Sequence, residues 1–372
     1  MKQKYLIATF ALFTILGLVI APQHCIASVN RSLDLCMKVI IPSLFPFFVC
    51  SRLLIESGFV NRLGRWCSII MRPVFNVPGC GSFALLIGLI SGYPVGAKCA
   101  VSLYRQNLCT KAEAERILCF CNNSGPLFII GSVAIAMLYS PSAGIILYSA
   151  HVLSAISVGI VFRFYKKTEK VYLNPSSNIN RKNVSIGEGL SAAITESVSI
   201  ILYVCGFIIF FGVFVSILDK FGIIAFISGA FATFGVPKDI SAPMVYGFFE
   251  ITGGIAKLCA LPIGNLKLVL ISAIMAWSGV SVILQVNGII AKTDLSKTVF
   301  IAAKALQSLF AAVYTLILIR LPATSIAVFA QATPKYTVSG SFAYTLLLMI
   351  IAILFYGVLS AFCFLFKCMS PD

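Results

Sequence analysis

Eight stretches of the chain, residues 5–22, 39–55, 117–139, 143–162, 198–218, 267–290, 299–320 and 341–366, stay apolar long enough to cross the roughly 30 Å hydrocarbon core of a bilayer. No soluble architecture accommodates that pattern. With 59% hydrophobic and 11% charged residues over 372 positions, the chain lacks the polar residues that a soluble protein of this size needs for its surface. The sequence therefore describes an all-α polytopic membrane protein and excludes soluble enzymes and extended disordered binders.

The distribution of Lys and Arg orients it. The 28 Lys+Arg against 12 Asp+Glu give a net charge of +16, and in a membrane protein such an excess belongs to cytoplasmic loops rather than to a nucleic-acid site. Residues 163–190 alone hold Arg163, Lys166, Lys167, Lys170, Arg181 and Lys182. Placing both termini in the cytoplasm leaves about 18 Lys/Arg inside and about 7 outside, the bias that the positive-inside rule requires. The first stretch follows Lys2 and Lys4 and precedes small residues around Cys25 to Ser28; we expect a retained anchor rather than a cleaved signal peptide. Between residues 59 and 75, Phe59, Leu63, Trp66 and Ile70 follow helical spacing while Arg62, Arg65 and Arg72 gather on another face, which predicts an interfacial amphipathic helix.

Two further apolar segments, 81–103 and 242–261, are interrupted by Gly and Pro and carry Lys98 and Lys257. Irregular backbone at membrane depth survives only where protein or a cavity satisfies it, so both are expected to be re-entrant hairpins. The same pieces recur in order in residues 39–162 and 198–320: a span, an interfacial segment, a hairpin, a span interrupted by Ser-Gly, and a closing span. Ile90-Ser91-Gly92 with Lys98-Cys99 parallels Ile251-Thr252-Gly253 with Lys257 and Cys259, and Ser124-Gly125 parallels Ser278-Gly279. One unit enters its first span from outside and the other from the cytoplasm. The expected architecture is therefore eight transmembrane helices and two re-entrant hairpins in two inverted repeats. Around the repeats lie an N-terminal anchor and external loop (1–38), a basic cytoplasmic linker (163–197) and an external loop with a C-terminal helix (321–372). Paired broken segments in inverted repeats are the layout of secondary transporters, with the site near midplane.

The candidate site residues are the polar ones at those breaks. In the first half they are Ser91, Gly92, Tyr93, Pro94 and Lys98, whose Gly and Pro expose backbone amides that attract anions, and Asn122, Asn123, Ser124 and Gly125, which can accept a solute without a full charge. In the second half they are Glu250, Thr252, Gly253, Gly254 and Lys257, with Ser278, Gly279, Ser281 and Gln285 in the broken span. Ionisable groups at this depth face a cavity or a partner. Lys98 and Lys257 are expected to face a shared cavity as a cationic pair, against the alternatives that both snorkel or that Glu250 neutralises Lys257. His151 reads as a packing histidine and Lys304 as a lysine that snorkels to the headgroups. Thirteen Cys without a CxxC pair read as free, apolar thiols, and His24 and His151 are too few for a metal centre. No phosphate-binding loop occurs. Neither an enzymatic activity nor a cofactor is expected, and a coupling ion is left unspecified.

Three motifs carry a family resemblance: Arg72-Pro73-Val74-Phe75-Asn76-Val77-Pro78-Gly79, Ser91-Gly92-Tyr93-Pro94-Val95-Gly96-Ala97-Lys98, and Asn122-Asn123-Ser124-Gly125-Pro126-Leu127-Phe128-Ile129-Ile130-Gly131. They resemble the YlbJ (SpoVV) family of sporulation integral membrane proteins, which carries the nucleoside-recognition Gate domain. The resemblance runs from about residue 39 to 320 and is weaker in the second half; Gly125 stands where a Ser-rich run is common in the family. It implies a fold similar to concentrative nucleoside transporters, a place in the outer forespore membrane of the mother cell, and movement of dipicolinic acid during spore maturation. The expected partners are a small anionic solute and the lipid bilayer; a homodimer is compatible with this architecture, and nucleic acid is not a partner. The alternatives are a nucleoside or other small-solute carrier, and a non-transporting scaffold of a sporulation complex.

Overall fold

The computed structural model describes residues 2–57, 67, 69–166, 186–262 and 264–320. The apolar stretch 341–366, most of the amphipathic segment 59–75 and the middle of the basic linker lie outside the described residues. Among the described residues every regular element is helical. The first two helices, α1 (Lys2–Ile20) and α2 (Pro22–Leu35), meet at 104°, because Pro22 lacks the N–H that would continue α1 and can start a helix but not extend one. Chain direction is then kept through a π-helical turn, Cys36–Ile40, into α3 (Ile41–Glu56).

The hairpin segments form helix pairs. In the first half α4 (Gly81–Ser91) and α5 (Val95–Arg105) join at Gly92–Pro94, and the next span is α6 (Lys111–Cys121), an extended stretch at 122–125, and a π-helical segment, Leu127–Met137. Thr110 and Glu113 start α6 with reciprocal side-chain and backbone hydrogen bonds. The closing helix α7 (Pro141–Phe162) is capped by Ser140. The second half runs through α8 (Ile186–Lys220), α9 (Ile223–Thr233), α10 (Lys238–Phe249), α11 (Ile251–Cys259), α12 (Leu266–Trp277), α13 (Gly279–Ile290) and α14 (Lys297–Leu318).

The two halves pack head to tail. Along α2 and α3, the His24 carbonyl accepts from Ser216 Oγ at 3.5 Å, Ser32 faces Gly212, Cys36 faces Cys205, and Arg52 pairs with Glu196 at 3.0 Å, so residue numbers rise on one side as they fall on the other. The closing helices do the same: Ser157 Oγ lies 2.6 Å from the Tyr314 hydroxyl, and Val158 and Phe162 share a cluster with Ala303 and Val299. A buried latch ties the start of α6 to both closing helices. Glu115 accepts from the Ser296 N–H at 2.8 Å and the Tyr165 hydroxyl at 3.0 Å, while Arg116 donates to the carbonyls of Asn76, Tyr165 and Lys166.

Among the described residues four helical segments are long and apolar enough to cross a bilayer, Pro141–Phe162, Ile186–Lys220, Leu266–Ile290 and Lys297–Leu318, and the bent pair 7–20 with 22–38 makes a fifth if it is one span. Stretch 39–55 is not a separate helix but the continuation of α2. Stretch 117–139 is not continuous either, since Pro126 has no N–H to give and the preceding Asn and Ser side chains compete for backbone partners.

Candidate functional site

At the first break the chain is extended through Asn122, Asn123, Ser124 and Gly125, all buried, leaving backbone groups that a continuous helix would have paired. Neighbouring helices satisfy them. Lys304 Nζ on α14 donates to the Asn122 carbonyl at 3.0 Å and to Gln307 Oε1 at 2.6 Å, and Gln307 Nε2 donates to Asn123 Oδ1 at 2.8 Å. The Ser124 N–H donates to His151 Nε2 on α7 at 3.0 Å, and Ser124 Oγ donates to the Tyr93 hydroxyl at 2.9 Å. The hairpin packs directly on this break. An added Cβ at Gly88 or Gly96 would lie 1.6 or 1.8 Å from the Cys121 carbonyl oxygen, so both arms close on the end of α6 by bare backbone. Ser91 Oγ, both polar side-chain atoms of Asn122, and His151 Nδ1 are buried there without a hydrogen-bond partner.

The second break is satisfied locally. Ser278 and Gly279 both take left-handed backbone, with φ of 74° and 72°, and turn α12 into α13 against the hairpin carbonyls of Phe249 and Gly247. Glu250 caps α11, accepting from the N–H groups of Thr252 at 2.9 Å and Gly253 at 2.7 Å. Gly254 lies against the Gly247 backbone, and Ser281 and Gln285 are buried on α13. The ring of Tyr93 packs against both large buried clusters, each of which draws residues from both halves.

A cavity of about 1150 Å³ begins at the first hairpin break and runs between α5, the first half of α8 and the end of α13. Pro94, Lys98, Ser102 and Arg105 form one wall, Glu188, Ser191, Thr195, Glu196, Ser199 and Tyr203 the second, and Gly288 and Lys292 the third. Glu196 is shared by two cations, Lys98 and Arg52, so that triad keeps one positive charge. The three basic side chains of the wall outnumber its two carboxylates.

Of the expected residues, Pro94 and Lys98 line this cavity. Ser91, Gly92, Tyr93 and Asn122 to Gly125 come together just behind it, and Glu250, Thr252, Gly253, Gly254, Ser278, Gly279 and Ser281 assemble around the second break. Lys257 does not share the cavity wall with Lys98: it is exposed, with Nζ 4.2 Å from the centre of the Tyr246 ring. Glu250 spends both carboxylate oxygens on α11 rather than on Lys257. Lys304 corrects the expectation of snorkelling, being fully buried at the first break, and His151 binds the broken backbone instead of only packing. Sequence reasoning missed the α8 wall, assigning most of it to the linker. A signal was present, since Glu188, Ser191, Thr195 and Ser199 recur at helical spacing and give α8 a polar face.

A family model described as nucleoside recognition, Gate, matches residues 37–124, from the turn before α3 to the first break. The sporulation integral membrane protein YlbJ of Bacillus subtilis (strain 168) is 36% identical over 334 residues, which cover 84% of this chain and 82% of that protein. No solved structure matches the chain significantly.

Proposed function

The chain belongs to the family of the sporulation integral membrane protein YlbJ, and from that membership we propose that it is a secondary carrier for a small organic anion, dipicolinic acid, in the outer forespore membrane. It is a multi-pass membrane protein built of apolar helices. The observation that carries the reading is the cavity: about 1150 Å³, starting at a helix break and walled by Lys98, Arg105 and Lys292. A pyridine bearing two carboxylates offers acceptors to two cations at once. A scaffold has no use for a cavity that ends on broken helices.

The antiparallel packing of α2 and α3 on α8, and of α7 on α14, supports two inverted repeats, 39–162 and 198–320, that rock about the breaks. With the basic linker in the cytoplasm, the start of α8 and the cavity mouth face that side. The test is exchange of radiolabelled dipicolinate in proteoliposomes, with uridine as a representative of the nucleosides in the Gate description. Lys98→Gln is expected to weaken dipicolinate at least tenfold, about 1.4 kcal/mol. Exchange of uridine but not dipicolinate would move the assignment to a nucleoside carrier, and exchange of neither would refute transport.

A further inference from the structure

Lys304 is a fully buried cation in the middle of α14, and among the described residues no carboxylate lies within ion-pair distance of it. Its ammonium has two acceptors, the Asn122 carbonyl at 3.0 Å and Gln307 Oε1 at 2.6 Å, both neutral. An uncompensated buried charge costs several kcal/mol, a cost that discharge of the amine removes. Packing alone gives no reason to keep such a residue, since an apolar side chain would fill the place without that cost.

The surroundings are built for a mobile proton. Asn122 presents Oδ1 and Nδ2 without partners at 1% exposure, beside the carbonyl that Lys304 holds. His151 accepts the Ser124 N–H on Nε2, so its neutral ring carries its hydrogen on Nδ1, which has no partner either. These unpaired donors and acceptors are what a bound water or a transferred proton requires. The titratable groups facing Lys304 are few. From α6 come Cys121 and Cys119, with Glu115 further along and engaged by Ser296 and Tyr165; from α7 comes His151; α12 contributes only Lys267 near its start, held by the Cys259 carbonyl, and α13 none.

Building on the carrier reading, we propose that Lys304 is its proton-coupling site, binding one proton as an ammonium against the broken span and releasing it to water as a neutral amine once per cycle. The ammonium already occupies the broken-span carbonyl that a coupling metal cation would otherwise use, so coupling is to protons rather than sodium. Lys304 stands in the second half and Asn122 in the first, and movement between the halves makes or breaks their contact.

The test uses the full chain in proteoliposomes with radiolabelled dipicolinate and with pyranine inside to report pH, protein-free vesicles serving as control. Dipicolinate counterflow needs no ion gradient and tests the carrier reading alone; if it is absent, both readings fall. With counterflow present, the wild type is expected to accumulate dipicolinate at least tenfold under a pH gradient, to ignore a sodium gradient, and to shift the pyranine signal when solute is added. Lys304→Gln and Lys304→Arg should each lose pH-driven accumulation at least tenfold while retaining measurable counterflow. Wild-type counterflow without a pyranine shift, or undiminished pH-driven accumulation in both variants, overturns the inference. Where neither variant folds, counterflow without a pyranine shift in the wild type still overturns the inference.

Discussion

Gly88→Ala should destabilise the protein, and the size of the effect follows from one contact. The new Cβ would sit 1.6 Å from the Cys121 carbonyl oxygen, a backbone atom that no rotamer change can move away. Restoring ordinary contact requires α4 and the end of α6 to separate by about 1.8 Å in a close-packed region, and forced overpacking of this kind costs roughly 1–3 kcal/mol. Helix propensity returns about 1 kcal/mol when Ala replaces Gly within a helix, so the expected net loss is up to about 2 kcal/mol. Gly206→Ala is the matched control: it is exposed on α8 with nothing within 4 Å of an added Cβ, and should gain about 0.5–1 kcal/mol. Heating detergent-solubilised protein and measuring the surviving monodisperse fraction separates the two, at a few degrees per kcal/mol. Equal midpoints for Gly88→Ala and Gly206→Ala would show that the first hairpin does not rest on the α6 terminus.

Three further outcomes follow from other parts of the structure. Cys36, in the π-helical turn before α3, and Cys205 on α8 face each other; after oxidation with copper phenanthroline, cleavage at a protease site placed within 167–185 should leave the two fragments joined on a non-reducing gel, and separation of the fragments would contradict the antiparallel register. Glu115→Gln should cost about 1–3 kcal/mol in thermal stability, because one of the two accepting oxygens becomes an NH2 group and leaves either the Ser296 N–H or the Tyr165 hydroxyl without its buried acceptor, whereas Asp34→Asn, in an exposed pair with Lys38, should change it by less than about 0.5 kcal/mol; equal effects would remove the latch. Asp294, in the turn before α14, is held below the usual carboxylate range by the Tyr104 hydroxyl and then by Lys111. Its small, solvent-screened contribution is complete above about pH 4 and lost as pH falls through the lowered value, so Asp294→Asn should flatten the acid side of the stability profile, and an unchanged profile would count against that contact.

The breaks were legible because Gly, Pro and Asn in an apolar run have few other uses. Ser91-Gly92-Tyr93-Pro94 and Asn122-Asn123-Ser124-Gly125 break their helices where the sequence places them, and Ser278-Gly279 turns α12 into α13. Their partners were not legible. Whether Lys304 reaches headgroups or a carbonyl depends on which face of α14 meets α6, and α14 is apolar enough all round that periodicity does not decide it. The same holds for Gln307 and His151, which stand among other polar residues of their helices, such as Ser308 on α14 and Ser154 on α7, none of which names the partner. Lys257 failed for the opposite reason, since sequence correspondence with Lys98 says nothing of the Tyr246 ring that takes it. The α8 wall was hidden by the basic linker, whose charges drew residues 186–197 into a loop although their polar positions keep helical spacing.

The two breaks solve one backbone problem with different chemistry, and the difference bears on how the molecule can move. In the second half, Ser278 and Gly279 turn within their own residues and Glu250 caps its own helix, so the turn and the hairpin cap there need no donor from another helix. In the first, the freed groups are met by Lys304 and Gln307 on α14 and by His151 on α7. Displacing α14 from α6 therefore breaks bonds that only α14 supplies, and a buried carbonyl left without its donor costs about 1–3 kcal/mol. Pro94, two residues from that carbonyl's neighbours in the packed hairpin, lines the cavity, while Tyr93 beside it bonds Ser124 and packs on the second half. Occupancy of the cavity and the state of the Lys304 contact thus act on the same short loop, and a solute that pushes on Pro94 pushes on the one break whose repair depends on the other half of the protein.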